Sequence, residues 1–422
     1  MKSKVLSLVC LLMAALSFTA CNKDDEDIAP VPVPVPEKVK PCCLIFYSAN
    51  GDQEHDANFS TAIPDLVNCI KGTTCAVAYM SKPAQGCGDT VYRYTAANGE
   101  AKKDSSWQKP TKGFPITDPA TLTEFIKWSA EQFPDYRYIL VISGHGMSWT
   151  QYDARETVKS RATLCEDDNC MKAYQLADAV KASEVKIDAF FFDSCFQGSI
   201  EFLTEWKDVT DYVLCYTSAM PDAGSNLGIL AEMLNGIKSN EKNELSNALA
   251  TYLKSVGKYN NIDEAPVSMS LIETSKIDAV NKALRETFAY MKSSLDKTSI
   301  STDSPAKFGE TFRSAFQRAI SKTYKYEFTD GVTADLEQML HDCTMYSADA
   351  VLMRHTENVC NALNDAIVYR YTTDKTPFAY HSWSIFGGIE YFSHETIRDA
   401  YRSNLFNTAT GYLDLMEELA KK

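Results

Sequence analysis

The stretch that decides the fold runs from Tyr136 to Cys195 and contains two apolar runs, Tyr138-Ile139-Leu140-Val141-Ile142 and Ala189-Phe190-Phe191-Phe192. Short β-branched and aromatic runs of this kind predict buried strands, parallel and covered on both faces. Two similar runs precede them, at Cys42–Tyr47 and Cys75–Met80. Because helical patterns alternate with these runs, the sequence predicts an α/β protein with a mostly parallel central sheet.

Both runs of the deciding stretch end abruptly in small or polar residues. Ser143-Gly144-His145-Gly146 follows the first run, and Asp193-Ser194-Cys195 follows the second. In open α/β sheets the reactive groups collect just beyond the carboxyl ends of the strands. We therefore expect His145 and Cys195 to lie side by side at one edge of the sheet.

Further elements follow from apolar periodicity along the rest of the chain. A helix with Asp118 as its N-cap precedes the histidine strand, and another is predicted from Phe196 to Trp206. Residues 300–375 are predicted to be helical and polar, with interruptions. The remaining predictions are strands at Val91–Tyr94, Asp211–Tyr216, Val267–Ile272 and Ser382–Phe392, and a terminal helix at Tyr412–Leu419.

Composition limits the class of protein. The chain has 422 residues, 45% of them hydrophobic, and a formal net charge of -14. This acidic balance, without a local basic patch, argues against nucleic-acid binding. The thirteen cysteines show no zinc-binding spacing, and neither they nor the histidines indicate a metal site. When Cys10 and Cys21 are set aside, an odd number of cysteines remains, so at least one cysteine cannot form a disulfide bond within the chain.

The first forty residues are typical of an exported and tethered protein. Residues 1–20 combine Lys2 and Lys4 with an apolar run, as in a secretory signal peptide too short to span a membrane. Cys21 follows small residues, which is similar to a lipoprotein cleavage site; ordinary cleavage near Ala20 is the alternative. Acidic residues and the Val-Pro repeat of Pro30–Pro36 follow, and the repeat favours a semi-rigid polyproline stalk.

The ends of the two central strands carry residue types suited to thiol chemistry. A thiol acts as a nucleophile only as the thiolate, so it needs neighbours that favour the anion. Ser194 and Gln197 have capping-box spacing, which predicts Cys195 in the first turn of a helix. His145 would supply an imidazolium, and the N–H groups of Gly146 and Cys195 an oxyanion site. The alternative is that Cys195, which follows three Phe residues, is a core residue.

Two aspartates are candidates for substrate binding. Asp193 lies beside the predicted nucleophile, where a desolvated carboxylate would pair with a Lys or Arg side chain of a substrate. Helix capping or a buried hydrogen bond is the other interpretation of Asp193. Asp222, in the loop after the next strand, either shares that task or is an ordinary turn residue.

These motifs resemble those of the clostripain-like cysteine peptidases, relatives of the caspases. The block from Phe125 to Trp149, with Gly144-His145-Gly146, is similar to the histidine motif of that family. Phe192-Asp193-Ser194-Cys195-Phe196 is similar to its cysteine motif. The loop from Thr217 to Gly228 departs from the family pattern, because it lacks the Glu-Glu-Pro-Gly run associated with the specificity pocket.

The resemblance implies a caspase-like αβα sandwich with a helical C-terminal subdomain. It implies a dyad of His145 and Cys195, an oxyanion site at Gly146, and an acid at Asp193 that selects basic P1 residues. Self-cleavage in the loop after the histidine would occur at Lys159 or Arg161. No cofactor is required, although some family members respond to calcium; Asp167 and Asp168 are available oxygen donors.

The expected organisation is a signal peptide (1–20), a tether (21–41), a catalytic core (42–290) and a mainly helical part (291–422) that returns one strand to the core. We expect a cysteine endopeptidase that cleaves protein or peptide substrates after Arg or Lys. It would be held at the bacterial outer membrane, facing outward, by a lipid on Cys21. The alternative is a surface lipoprotein that binds proteins or glycans on a peptidase-like scaffold without turnover.

Overall fold

The computed structural model describes residues 37–49, 63–83, 87–144, 146, 164–166, 169–217, 220, 224–259, 267–323, 325–327, 332–372, 386–388, 402 and 404–421. The segments before residue 37, including Cys21, lie outside this set. No helix among the described residues has the length and apolar character needed to cross a membrane.

A nine-stranded sheet forms the centre of the fold, in the order β13-β10-β9-β8-β5-β1-β2-β3-β4. The five strands from β9 to β2 are parallel, and antiparallel strands extend the sheet on both sides. This confirms the predicted α/β class. The strands of the sheet are β1 (Cys42–Ala49), β2 (Ala76–Lys82), β3 (Thr90–Ala97), β4 (Glu100–Pro110), β5 (Arg137–Ser143), β8 (Ile187–Asp193), β9 (Thr210–Tyr216), β10 (Ser268–Glu273) and β13 (Ile367–Thr372).

The five shorter strands form two small sheets. A hairpin pairs β6 with β7, and β12 lies between β11 and β14. They are β6 (Leu164–Glu166), β7 (Asn169–Met171), β11 (Lys325–Glu327), β12 (Val332–Asp335) and β14 (Phe386–Gly388).

Helices cover both faces of the large sheet and separate the core into two clusters. Along β8, Phe190 and Phe192 face one cluster, whereas Ala189 and Phe191 face the other. All four are essentially inaccessible to solvent, as expected for a parallel strand covered on both sides. The helices are α1 (63–69), α2 (Pro119–Gln132), α3 (Ala173–Ala182), α4 (Ile200–Trp206), α5 (Leu227–Asn235), α6 (Lys242–Tyr259), α7 (Ile277–Ser293), α8 (Phe312–Lys322), α9 (Leu336–Ser347), α10 (Ala350–Ala366), α11 (Leu405–Thr410) and α12 (Tyr412–Ala420).

The C-terminal part is helical with short strands. The stretch 300–375, predicted to be helical with interruptions, contains three helices and the strands β11, β12 and β13, and β13 pairs with β10 at the edge of the large sheet. Within the predicted strand Ser382–Phe392, β14 is the described part. The hairpin strand β4 was missed because its polar, exposed sequence lacks an apolar alternation.

Candidate active site

The histidine and cysteine strands end side by side at one edge of the sheet. Their register pairs Ile142 with Phe192 and Ser143 with Asp193. The Gly144 N–H donates to the carbonyl oxygen of Asp193 at 3.3 Å, so the contact continues one residue past β5. The two chain segments that follow the apolar runs therefore begin next to each other.

Cys195 lies in a turn between β8 and α4 rather than in a helix. Helix α4 begins at Ile200, with the Ser199 hydroxyl accepting from the Phe202 N–H. The predicted capping box at Ser194 and Gln197 is therefore wrong, since Ser199 is the residue that caps the helix. Phe196 has φ +54°, a left-handed conformation that reverses the chain beside Cys195.

Gln197 holds this turn in place. Its side-chain Nε2 donates to the Cys195 carbonyl oxygen at 3.2 Å. Its backbone N–H donates to the carbonyl of Tyr216, the last residue of β9, at 2.9 Å. One hydrogen bond within the turn and one to the neighbouring strand β9 thus fix the position of the thiol.

The thiol of Cys195 is partly exposed and accepts a backbone hydrogen bond. The Met220 N–H lies 3.2 Å from Cys195 Sγ. A donor aimed at sulfur favours the thiolate over the thiol, which is the function the sequence assigned to a helix N-terminus. The exposure argues against the alternative that Cys195 is a core residue.

Gly146 packs directly against the cysteine turn. A Cβ built on this buried residue would lie 2.5 Å from the Cys195 carbonyl oxygen and 2.5 Å from Gln197 Nε2. Both distances are too short for a real side chain, so only glycine fits. The residue that follows His145 in the chain is therefore in contact with the residue that carries the candidate nucleophile.

Asp193 is buried behind the turn, with 5% of its surface exposed. Its Oδ2 accepts from the Ser143 hydroxyl at 3.1 Å, and its Oδ1 accepts from the Ser225 N–H at 3.1 Å. Burial raises the pKa of this carboxyl above the ordinary 3.8, and the hydrogen bonds from Ser225 and Ser143 oppose the shift. The Ser225 hydroxyl also lies 2.9 Å from the hydroxyl of the buried Tyr216.

The structure describes only part of the predicted site. It brings Gly146, Asp193 and Cys195 together, whereas the other predicted residues lie outside the described residues: His145, Asp222, Lys159, Arg161, Asp167, Asp168 and Cys21. Sequence reasoning missed Ser143, Met220 and Ser225. Ser143 could have been predicted, because it ends the histidine strand. A backbone donor such as the Met220 N–H leaves no signal in the sequence.

Comparison with known proteins identifies one family and several solved structures with a similar fold. The model of the clostripain family, peptidase C11, matches residues 95–405. Among curated proteins no significant match exists. Similar solved structures include a secreted C11 cysteine protease of Bacteroides thetaiotaomicron (15% identity, TM-score 0.60, 89% of this chain and 100% of the other). Another structure of a secreted C11 protease of that organism, with an irreversible peptide inhibitor, has 14% identity, a TM-score of 0.63 and the same coverage.

An inactive zymogen C11 protease of Parabacteroides distasonis is similar at 14% identity and a TM-score of 0.63, over 89% of this chain and 99% of the other. At these identities the likeness establishes the fold, which is the caspase-like arrangement expected from the sequence.

Proposed function

This chain belongs to the clostripain family of cysteine peptidases, and on that premise we propose that it is an endopeptidase cleaving after Arg or Lys. His145 and Cys195 act as base and nucleophile. The observation that carries this proposal is the contact of Gly146 with the Cys195 carbonyl. In the sequence, His145 stands between Gly144 and Gly146, and the Gly144 N–H donates to the Asp193 carbonyl oxygen.

The proposed reaction proceeds through an acyl-enzyme. His145 takes the thiol proton of Cys195, and the sulfur attacks the carbonyl carbon of the substrate. The N–H groups of Gly146 and Cys195 stabilise the oxyanion of the tetrahedral intermediate. Imidazolium then protonates the leaving amine as the C–N bond breaks, and water hydrolyses the thioester to release the acid and regenerate the thiol.

Asp193 supplies the proposed preference for basic P1 residues. A carboxylate has about four acceptor positions, and the described donors to Asp193 are the Ser143 hydroxyl and the N–H and hydroxyl of Ser225. A guanidinium or ammonium that reaches a remaining position meets a desolvated charge, which makes the contact strong and specific. Asp222, in the loop after β9, would share this task.

Activation and location are further parts of the proposal. Self-cleavage after Lys159 or Arg161 would release the loop beyond the histidine strand, and one similar structure is described as an inactive zymogen. Export, lipidation at Cys21 and the proline-rich stalk would hold the peptidase outside the outer membrane. Calcium dependence rests on the family resemblance, with Asp167 and Asp168 as donors.

The competing function is a binding lipoprotein on the same scaffold, without turnover. A panel of fluorogenic peptides with Arg, Lys, Asn and Asp at P1 separates the two. We expect cleavage after Arg and Lys by the wild type and by a Cys69→Ser control, which removes an exposed thiol. Cys195→Ala should cleave none of the peptides and should not process itself. Turnover by Cys195→Ala contradicts the assignment of the nucleophile, and an inactive wild type after processing favours the binding function.

A further inference from the structure

Three side chains able to bind a metal ion meet between α9 and α10. Glu337 and His341 are four residues apart on α9 and share one face of that helix. Cys360 projects toward them from α10. One ligand atom from each of the three lies within 4.8 Å of the other two.

The spacing of these atoms suits tetrahedral coordination. Cys360 Sγ lies 3.7 Å from His341 Nε2. With Zn–S of about 2.3 Å and Zn–N of about 2.0–2.1 Å, two ligands at the tetrahedral angle are about 3.6 Å apart. The thiol and the imidazole are therefore already spaced as ligands of one ion. A carboxylate oxygen of Glu337 lies within 4.8 Å of both atoms and would supply a third ligand.

The charges around the thiol also favour a cation. Asp335, with 4% of its surface exposed, and Glu337 place two carboxylates near Cys360, while Arg370 Nη1 lies 4.0 Å from Glu337 Oε2. When a divalent cation displaces the thiol proton, its two positive charges and that of Arg370 balance the negative charges of Asp335, Glu337 and the Cys360 thiolate.

We propose that Glu337, His341 and Cys360 form a binding site for a thiophilic divalent cation such as Zn²⁺, with water as the fourth ligand. The S–H proton leaves to solvent as the sulfur–metal bond forms. Calcium and magnesium are excluded because they prefer sets of oxygen ligands. The ion would cross-link α9 and α10 and stabilise the hairpin that leads into β13. This site is independent of the proposed peptidase reaction.

Linear spacing could not predict this site. Two of the ligands are helical neighbours, but Cys360 follows His341 by 19 residues and lies on a separate helix. Only the antiparallel packing of α9 against α10 brings it to the other two. The expectation from the sequence that no metal site exists therefore rested on cysteine and histidine spacing alone.

Metal binding is measured on full-length protein carrying Cys195→Ala, so that the candidate catalytic thiol does not contribute. The reduced, metal-free protein is titrated with Co²⁺ and then with Zn²⁺. We expect a tight Co²⁺ site with a sulfur-to-cobalt charge-transfer band that Zn²⁺ abolishes. Adding Cys360→Ser should remove the band, and adding His341→Gln should weaken binding at least about 10-fold. Zn²⁺ should raise the unfolding temperature of the parent but not of the Cys360→Ser protein.

The matched controls are Cys69→Ser, which removes an exposed thiol, and His355→Gln, which removes the histidine stacked on Tyr290. Both should retain the cobalt band and the thermal shift. The proposal is overturned if Cys360→Ser binds metal with the parent's band and affinity. It is equally overturned if the folded parent shows no cobalt–sulfur band.

Discussion

At the scale of single residues, the buried carboxylate of Asp193 controls the proposed specificity. We predict that Asp193→Asn lowers kcat/KM for Arg and Lys substrates, because the substrate's charge loses a desolvated partner. The loss corresponds to about 2–5 kcal/mol of transition-state stabilisation. Cleavage after neutral residues should change little. Peptides that differ only at P1 provide the measurement.

The matched control is Asp188→Asn, at the opposite end of the same strand, where the carboxylate accepts the Tyr138 N–H at 3.0 Å. It should leave the P1 preference intact. Equal Arg preference in Asp193→Asn and in the wild type would remove Asp193 from the specificity pocket.

The raised pKa of Asp193 predicts a pH dependence. The folded-state pKa lies above the ordinary 3.8, because burial disfavours the charged form. Ionisation of this group therefore destabilises the folded state at high pH. This cost diminishes as the pH falls below the raised folded-state pKa and is absent below the ordinary value of 3.8. Over the same range the neutral acid loses its attraction for Arg. As the pH is lowered, the ratio of kcat/KM for Arg to that for a neutral P1 residue should therefore begin to fall at a higher pH than it would for an aspartate with an ordinary pKa.

Asp193→Asn should remove this pH dependence of the ratio. A ratio that stays pH-dependent in that variant would assign the titration to another group.

Some of the residues at the candidate site could be predicted from the sequence. Asp193, Gly146 and Cys195 follow from the abrupt ends of two apolar strands, and the structure brings them together. The donor to the sulfur was assigned incorrectly, because a backbone N–H from Met220, 25 residues away, replaces the expected helix N-terminus. Backbone donors of distant loops have no residue signature.

At the scale of elements, the loop after β5 and the turn after β8 must pack closely for the proposed chemistry. Gly146→Ala places a Cβ 2.5 Å from the Cys195 carbonyl, so the two segments must separate. Because displacement of about 1 Å costs roughly 10²-fold in rate, we predict a loss of about that size in kcat/KM. Unfolding measurements establish that the variant folds.

Gly236→Ala is the control. This glycine follows α5, and its added Cβ would meet nothing closer than the Met233 carbonyl at 3.2 Å. It should keep near-normal activity. Full activity of folded Gly146→Ala would show that this contact does not position the reacting groups.

Element type was easier to predict than element boundaries. The buried strands β1, β2, β5, β8 and β9 were evident because both of their faces are apolar. Helix α4 begins four residues later than predicted, because two serines precede it and the second one, Ser199, is the N-cap. Polar strands such as β4 are invisible to apolar periodicity.

At the scale of the whole molecule, the predicted fold class is confirmed by the central parallel sheet and by the structural comparisons. The boundaries at 20, 41 and 290 stay predictions. The order of the edge strands was out of reach, since β13 joins the sheet from nearly a hundred residues beyond its neighbour β10. Pairing over such separations depends on the tertiary contacts of the helices between them.

The tether gives a prediction at this scale. Cys21→Ser should abolish lipidation and move the protein from the membrane fraction to a soluble one, because a lipid anchor supplies about 0.8 kcal/mol per buried CH₂. The peptidase activity per molecule should be unchanged. Fractionation and metabolic lipid labelling measure the effect, and a Cys10→Ser variant, altered in the leader, is the control. Retention of Cys21→Ser in the membrane fraction would contradict the lipoprotein assignment.

The central claim is that Cys195 is the nucleophile that His145 activates, and covalent labelling tests it most directly. Wild-type protein, Cys195→Ala and His145→Ala are treated with a peptidyl ketone inactivator carrying Arg at P1, and the adduct is located by peptide mass spectrometry. We predict one adduct on Cys195 in the wild type, none in Cys195→Ala, and strongly slowed labelling in His145→Ala. An adduct on another thiol, or labelling of His145→Ala at the wild-type rate, would contradict the account.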